Sequence, residues 1–161
     1  MIDRLSNISA GYAHTEIYAG ITKTLVTKVN IYQANPHKLL KKDVVAVWDT
    51  GATCSVIDKK LAKEWNLDVV KYETFVTANG TTRAKVYYLT LELPNGGYFP
   101  NLQVSELKLA SGFLIGMDVI KQGDFHISND GTTVFTFRTP SHDVQDYELD
   151  ELLTRPKLIM H

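Results

Sequence analysis

The sequence predicts a mainly β protein whose sheet closes into a barrel and whose helices are short. Three observations lead there. Apolar and polar residues alternate with a period of two over residues 25–32, the pattern of a strand with one buried face. Turn-forming clusters, Ala78-Asn79-Gly80, Asn95-Gly96-Gly97 and Asn129-Asp130-Gly131, recur between apolar runs, and Asn-Gly is a strong hairpin signal. Helical patterning is confined to short stretches, which with many short strands points to a closed sheet.

Residues 1 to about 20 show no sustained period and read as an arm or edge segment. Over residues 25–32, Leu25, Thr27, Val29 and Ile31 share one face, and Val26, Lys28, Asn30 and Tyr32 the other. After a loop through Asn35-Pro36-His37, residues 43–48 form a β-branched, nearly continuous apolar run that reads as a strand buried on both faces. It runs directly into Asp49-Thr50-Gly51. Asp58 stands where it can cap a short helix over residues 59–65, with Leu61 and Trp65 on one side. Residues 69–77 and 81–93 read as two strands joined through Ala78-Asn79-Gly80, and residues 98–104 as a further strand. Phe113-Leu114-Ile115-Gly116 is a short apolar strand ending in glycine, and residues 117–122 form a helical turn closed by Gly123. A last hairpin pairs residues 125–128 with 132–138. The tail is acidic, with Asp143, Asp146, Glu148, Asp150 and Glu151, and reads as a solvated segment. The division expected is an arm over 1–20, one domain over 21–140 and a tail over 141–161.

Composition narrows the function. Lys and Arg number 17 against 18 Asp and Glu, a net charge of -1. That balance argues against a nucleic-acid binder or an anionic-membrane partner, which usually carry a basic excess. Cys54 is the single cysteine, so no internal disulfide is expected. No apolar leader and no run of about 20 apolar residues is present, so the expectation is a soluble cytoplasmic protein. The histidines, His14, His37, His126, His142 and His161, are scattered and lack metal-ligand spacing, so no metal and no cofactor is expected. No glycine-rich phosphate loop appears. A lone Cys54 without a recognisable histidine partner reads as a small packing residue, not a nucleophile.

Chemistry concentrates at Asp49. An apolar strand delivers this carboxylate to a turn made by Thr50 and Gly51, and an apolar run resumes at Val56-Ile57. A carboxylate at the end of a buried strand is costly unless it is hydrogen-bonded or functional. Gly51 permits a close approach of the backbone to it. The stretch Asp49-Thr50-Gly51-Ala52 resembles the signature of aspartic peptidases. Leu114-Ile115-Gly116, followed by Met117-Asp118, resembles the hydrophobic-hydrophobic-glycine segment that lies beside the catalytic loop in that family. The Asn79-Gly80 hairpin lies between them, where the family places its flap. The order of all three, over roughly residues 21 to 140, resembles the retroviral-type (retropepsin-like) branch.

That resemblance implies an acid-protease barrel completed by homodimerisation, and an aspartic endopeptidase acting on protein or peptide substrates. Asp49, Thr50 and Gly51 would be catalytic, with Thr50 locking two loops across a twofold axis. Ala52, Ala78, Asn79, Gly80 and Thr81 would contact substrate. Leu114, Ile115, Gly116 and Asp118 would support the site. No second Asp-Thr-Gly or Asp-Ser-Gly occurs in the chain, so the second aspartate is expected from Asp49 of another copy. The rival reading is an inactive dimeric module of the same fold that holds extended peptides without cutting them.

Overall fold

The computed structural model describes residues 13–35, 38–77 and 80–141. The N-terminal segment before Ala13, the acidic tail and the residues Pro36, His37, Ala78 and Asn79 lie outside them. Ten strands and two short helices follow one another in the order β1 (Ala13–Ile17), β2 (Val26–Asn35), β3 (Lys38–Trp48), β4 (Val56–Asp58), α1 (Lys59–Glu64), β5 (Lys71–Thr77), β6 (Gly80–Glu92), β7 (Tyr98–Leu107), β8 (Phe113–Ile115), α2 (Met117–Ile120), β9 (Asp124–Asp130) and β10 (Thr132–Arg138). None of the described helices is long and apolar enough to cross a membrane.

The expected barrel is present. One sheet runs β2-β3-β8-β4-β7-β6-β5, and β2 pairs with β6 as well, so six strands close on themselves while β5 extends outward from β6. Closure gives the sheet a single interior, which alternate residues of each strand fill. Thr27, Val29 and Ile31 of β2 point into it, as the alternation in the sequence requires. On β3, Ala46 and Trp48 point inward, but Val45 is 51% exposed. The expectation of a strand buried on both faces is therefore corrected: none of the described residues covers the outer face of β3 at Val45.

A second sheet, ordered β1-β10-β9, packs beneath the barrel. Its inner face carries Phe125, Phe135 and Phe137. All three gather around Trp48, with ring centroids 6.0, 5.1 and 4.8 Å away. Tilted and edge-on aromatic pairs of this kind add about 0.5–1.5 kcal/mol each beyond their area burial. The indole N–H of Trp48 donates to Thr27 Oγ1 at 2.9 Å, which satisfies the polar end of a buried ring. The residue before Asp49 is thus fixed on every side.

Asp58 caps α1 as predicted, accepting from the amides of Lys60 and Leu61, and also from Leu109 at 3.0 Å. Two turns differ in detail from the sequence reading. Gly80 is not part of the connection but opens β6, paired with Thr77 and at φ +108°. Asp130 pairs with Thr132, so Gly131, at φ +70°, makes the last turn alone. In both places the left-handed backbone falls on the glycine, which pays least for it.

Candidate active site

β8 explains the geometry around Asp49. It lies between β3, to which it runs parallel, and β4, to which it is antiparallel. Those two strands flank the loop of residues 49–55, so the loop must pass over the end of β8. Trp48 is in register with Ile115, and the Asp49 amide donates to the Ile115 carbonyl at 2.9 Å. The apolar pair Leu114-Ile115 thereby sets the height at which the aspartate leaves the sheet.

Beyond that point the turn closes on itself. The Gly51 amide donates to Asp49 Oδ1 at 2.8 Å, and the Ala52 amide to the Asp49 carbonyl at 3.3 Å. A side chain at position 51 would begin 3.2 Å from that same carboxylate oxygen, which is why glycine suits it. Asp49 is half-buried, and Thr50 beside it is exposed.

The far end of the loop is clamped. Ser55 is fully buried, and its amide donates to Asp118 Oδ2 at 3.0 Å while its hydroxyl donates to Asp118 Oδ1 at 2.8 Å. The same hydroxyl accepts from the Gly116 amide at 3.2 Å, and the Met117 amide donates to the Ala52 carbonyl at 2.8 Å. Gly116 has to be glycine for a steric reason. A Cβ there would sit 2.6 Å from the carbonyl carbon and oxygen of Cys54, and 3.0 Å from the Ala52 oxygen. The loop backbone occupies the space a side chain would need.

An open cavity of about 440 Å³ adjoins the turn. Asp49 and Thr50 form part of its wall, with Lys23, Leu25, Val47 and Trp48 on the barrel side and Phe125, Ile127 and Asn129 from β9 opposite. Asp49 is the one carboxylate among these lining residues.

The structure therefore brings Asp49, Gly51, Ala52, Leu114, Ile115, Gly116 and Asp118 into one cluster. Gly80 and Thr81 lie apart, at the start of β6, where Thr81 pairs with Val76. Ala78 and Asn79 fall outside the described residues. Sequence reasoning missed Ser55, although a serine heading the apolar run Val56-Ile57 is a signal: a buried hydroxyl needs partners. It also missed Phe125 and Ile127, which reach the cavity only through sheet packing.

Residues 37–122, more than half of the chain, match the family described as "gag-polyprotein putative aspartyl protease". The chain belongs to this family. Its fold is that of retropepsin-like proteases. The crystal structure of a retropepsin-like aspartic protease from Rickettsia conorii superposes with a TM-score of 0.53 at 18% identity, over 79% of this chain and 93% of that one. The simian foamy virus protease (TM-score 0.44, 16% identity) covers 60% of this chain and 92% of its own. The retroviral protease-like domain of Ddi1 from Leishmania major (TM-score 0.43, 22% identity) covers 71% and 94%. No curated protein sequence matches the chain.

Proposed function

We propose that this retropepsin-like chain is an aspartic endopeptidase whose reacting pair is Asp49 from each of two copies. One observation carries the reading. Asp49 stands at the end of β3 on a turn held at both ends, and it is the one carboxylate lining an otherwise uncharged or cationic cavity open to solvent. A single carboxylate supplies only half of the general acid–base chemistry that peptide hydrolysis by activated water requires. Dimerisation is typical of this fold.

Two Asp49 carboxylates meeting across a twofold axis cannot both ionise easily, so they share a proton. The ionised member takes a proton from water as it attacks the scissile carbonyl. The protonated member donates to the carbonyl oxygen, and the pair then protonates the leaving amine. Thr50, exposed beside Asp49, would meet its counterpart across the axis. The β5–β6 hairpin would lie over the bound peptide, with Gly80 and Thr81 as substrate contacts at the start of β6; Ala78 and Asn79, proposed as contacts too, lie outside the described residues.

Asp49→Asn should abolish cleavage of a peptide library while leaving the fold intact. Mixing separates a shared site from a self-sufficient one. With subunit exchange verified, an equal mixture of wild type and Asp49→Asn should retain about one quarter of wild-type activity at the same total protein, because only pairs with two carboxylates act. Retention of about one half would place a complete site in each chain and refute the shared pair. Undiminished cleavage by Asp49→Asn alone would remove Asp49 from the reaction.

A further inference from the structure

His14 takes no part in the chemistry above, yet it is buried and reaches the strand that carries Asp49 through one intermediary. It pairs with Phe137 across β1 and β10, and Glu16 pairs with Phe135, so both side chains lie on the inner face of the second sheet. There the ring Nε2 of His14 is 3.3 Å from Thr27 Oγ1 and 3.1 Å from Glu16 Oε1. Thr27 Oγ1 in turn accepts from the indole N–H of Trp48 at 2.9 Å. A line of polar groups therefore runs from Glu16, whose side chain is 36% exposed, through His14 and Thr27 to the residue before Asp49. One placement of protons cannot satisfy every contact in it. An indole nitrogen only donates, so the Thr27 hydroxyl must send its own hydrogen elsewhere, and the other group beside it among the described residues is His14 Nε2. That bond needs an unprotonated Nε2. The bond to Glu16 needs the opposite, because an ionised carboxylate only accepts.

We propose that His14 is a positioning residue for Asp49, and that its proton chooses between two arrangements of this line. With Nε2 unprotonated, His14 accepts from the Thr27 hydroxyl, which is polarised by that bond and holds the indole firmly. With Nε2 protonated, as in the imidazolium, His14 donates to Glu16 and the Thr27 hydrogen loses its acceptor. A buried donor without a partner is costly, so the hydroxyl turns and its grip on the indole weakens. Trp48 leads directly into Asp49, whose amide is bonded to the Ile115 carbonyl at 2.9 Å, so the indole tether bears on the height of the carboxylate. The first arrangement is the one that aligns Asp49. Glu16 is the charged group that acts on the ring. Tyr18, next on the same face of the chain, has its phenol engaged with the Val26 amide at 2.8 Å and carbonyl at 3.0 Å. Thr27, Trp48, Phe135 and Phe137, presented by β2, β3 and β10, do not titrate. Arg138 and Asp124 are in register with Ala13 and so belong to the outer face, and Lys28, on the other face of β2, pairs with Asp43 at 3.1 Å. Lys23 and Asp49 line the cavity with Trp48. The proposal rests on the shared-site reading above and adds a residue that tunes that site from behind.

Nuclear magnetic resonance of the indole N–H protons tests the line without any cleavage. The chain has 2 tryptophans, Trp48 and Trp65, and Trp65→Phe tells their signals apart. From about pH 5 to pH 8, the range in which histidines change charge, the Trp48 signal of wild type should move. In His14→Gln, whose amide oxygen accepts from Thr27 without titrating, it should not. Turnover supplies the second measurement. The ratio of kcat in His14→Gln to kcat in wild type should be about one at pH 8 and rise to at least about threefold at pH 5, with KM within about twofold throughout. The acid–base profile of the Asp49 pair cancels in this ratio, and a purely structural role for His14 would leave the ratio constant. Thr27→Val should lower kcat by at least about threefold at pH 8, and Thr27→Ser, which keeps the hydroxyl, should restore it. A Trp48 signal that stays in place in wild type, or moves equally in His14→Gln, overturns the proposal and leaves the shared site standing. Undiminished cleavage by Asp49→Asn overturns the shared site and the positioning role with it.

Discussion

Removing one hydroxyl should loosen the whole Asp49 loop. Ser55→Ala deletes the 2.8 Å bond to Asp118 and leaves the Gly116 amide, inside the protein, without the acceptor it has at 3.2 Å. A hydrogen bond to a charged group contributes about 1.5–3 kcal/mol, and an orphaned buried donor costs about 1–3 kcal/mol. Two facts hold the sum down. Asp118 is only partly buried, so water replaces some of the lost bond, and the Ser55 amide still donates to its other oxygen at 3.0 Å. The expected loss is about 2–3 kcal/mol. Urea unfolding at fixed protein concentration measures it, with fixed concentration needed because self-association shifts apparent stability. In a double-mutant cycle with Asp118→Ala, the two losses should fail to add by about 0.5–3 kcal/mol, since both remove the same bond. Peptide turnover should fall mainly in kcat, because the substitution displaces the loop and not a substrate contact. A loss below about 0.5 kcal/mol, or strict additivity with Asp118→Ala, would refute the clamp.

Three further outcomes are expected. Gly116→Ala must push the backbone at Cys54 and Ala52 aside, so it should cost about 1–3 kcal/mol in the same unfolding assay and reduce kcat more than Ser55→Ala does. Tyr87→Phe should destabilise by about 1–3 kcal/mol, because Glu106, 6% exposed, loses the phenol bonded to it at 2.6 Å. Burial first, and the Glu106 bond second, hold the Tyr87 phenol above its ordinary range. Wild-type stability should therefore decline as pH rises above about 10, where the unfolded chain's phenol ionises and the folded one does not; a flat alkaline limb would contradict this. Asp58 is held below the usual carboxylate range by the Leu109 amide first, then those of Lys60 and Leu61. Its contribution is present above about pH 4 and is lost as pH falls through the lower, folded value. The stability gap between wild type and Asp58→Ala should accordingly be open at neutral pH and close at strongly acid pH.

The sequence by itself determined the features governed by near neighbours. Alternation over Thr27, Val29 and Ile31 placed a strand with the right face inward, because the period of two is a property of the extended chain. Asp58 announced its helix, and glycines at 80 and 131 marked the hairpins, because caps and left-handed turns are local demands. The family, too, was legible in Asp49-Thr50-Gly51-Ala52 and Leu114-Ile115-Gly116. Tertiary structure decided the rest. Val45 is exposed because a closed barrel has one interior, which no window of sequence reveals. The Ser55–Asp118 clamp joins residues 63 positions apart, and only the insertion of β8 between β3 and β4 brings them together. Among the described residues β9 has a strand on one side only, which follows from the order β1-β10-β9, a long-range pairing between residues near opposite ends of the described chain. A strand's hydrogen-bonding edge carries no side-chain signature, so whether it is paired or free is known only once every other strand has taken its place.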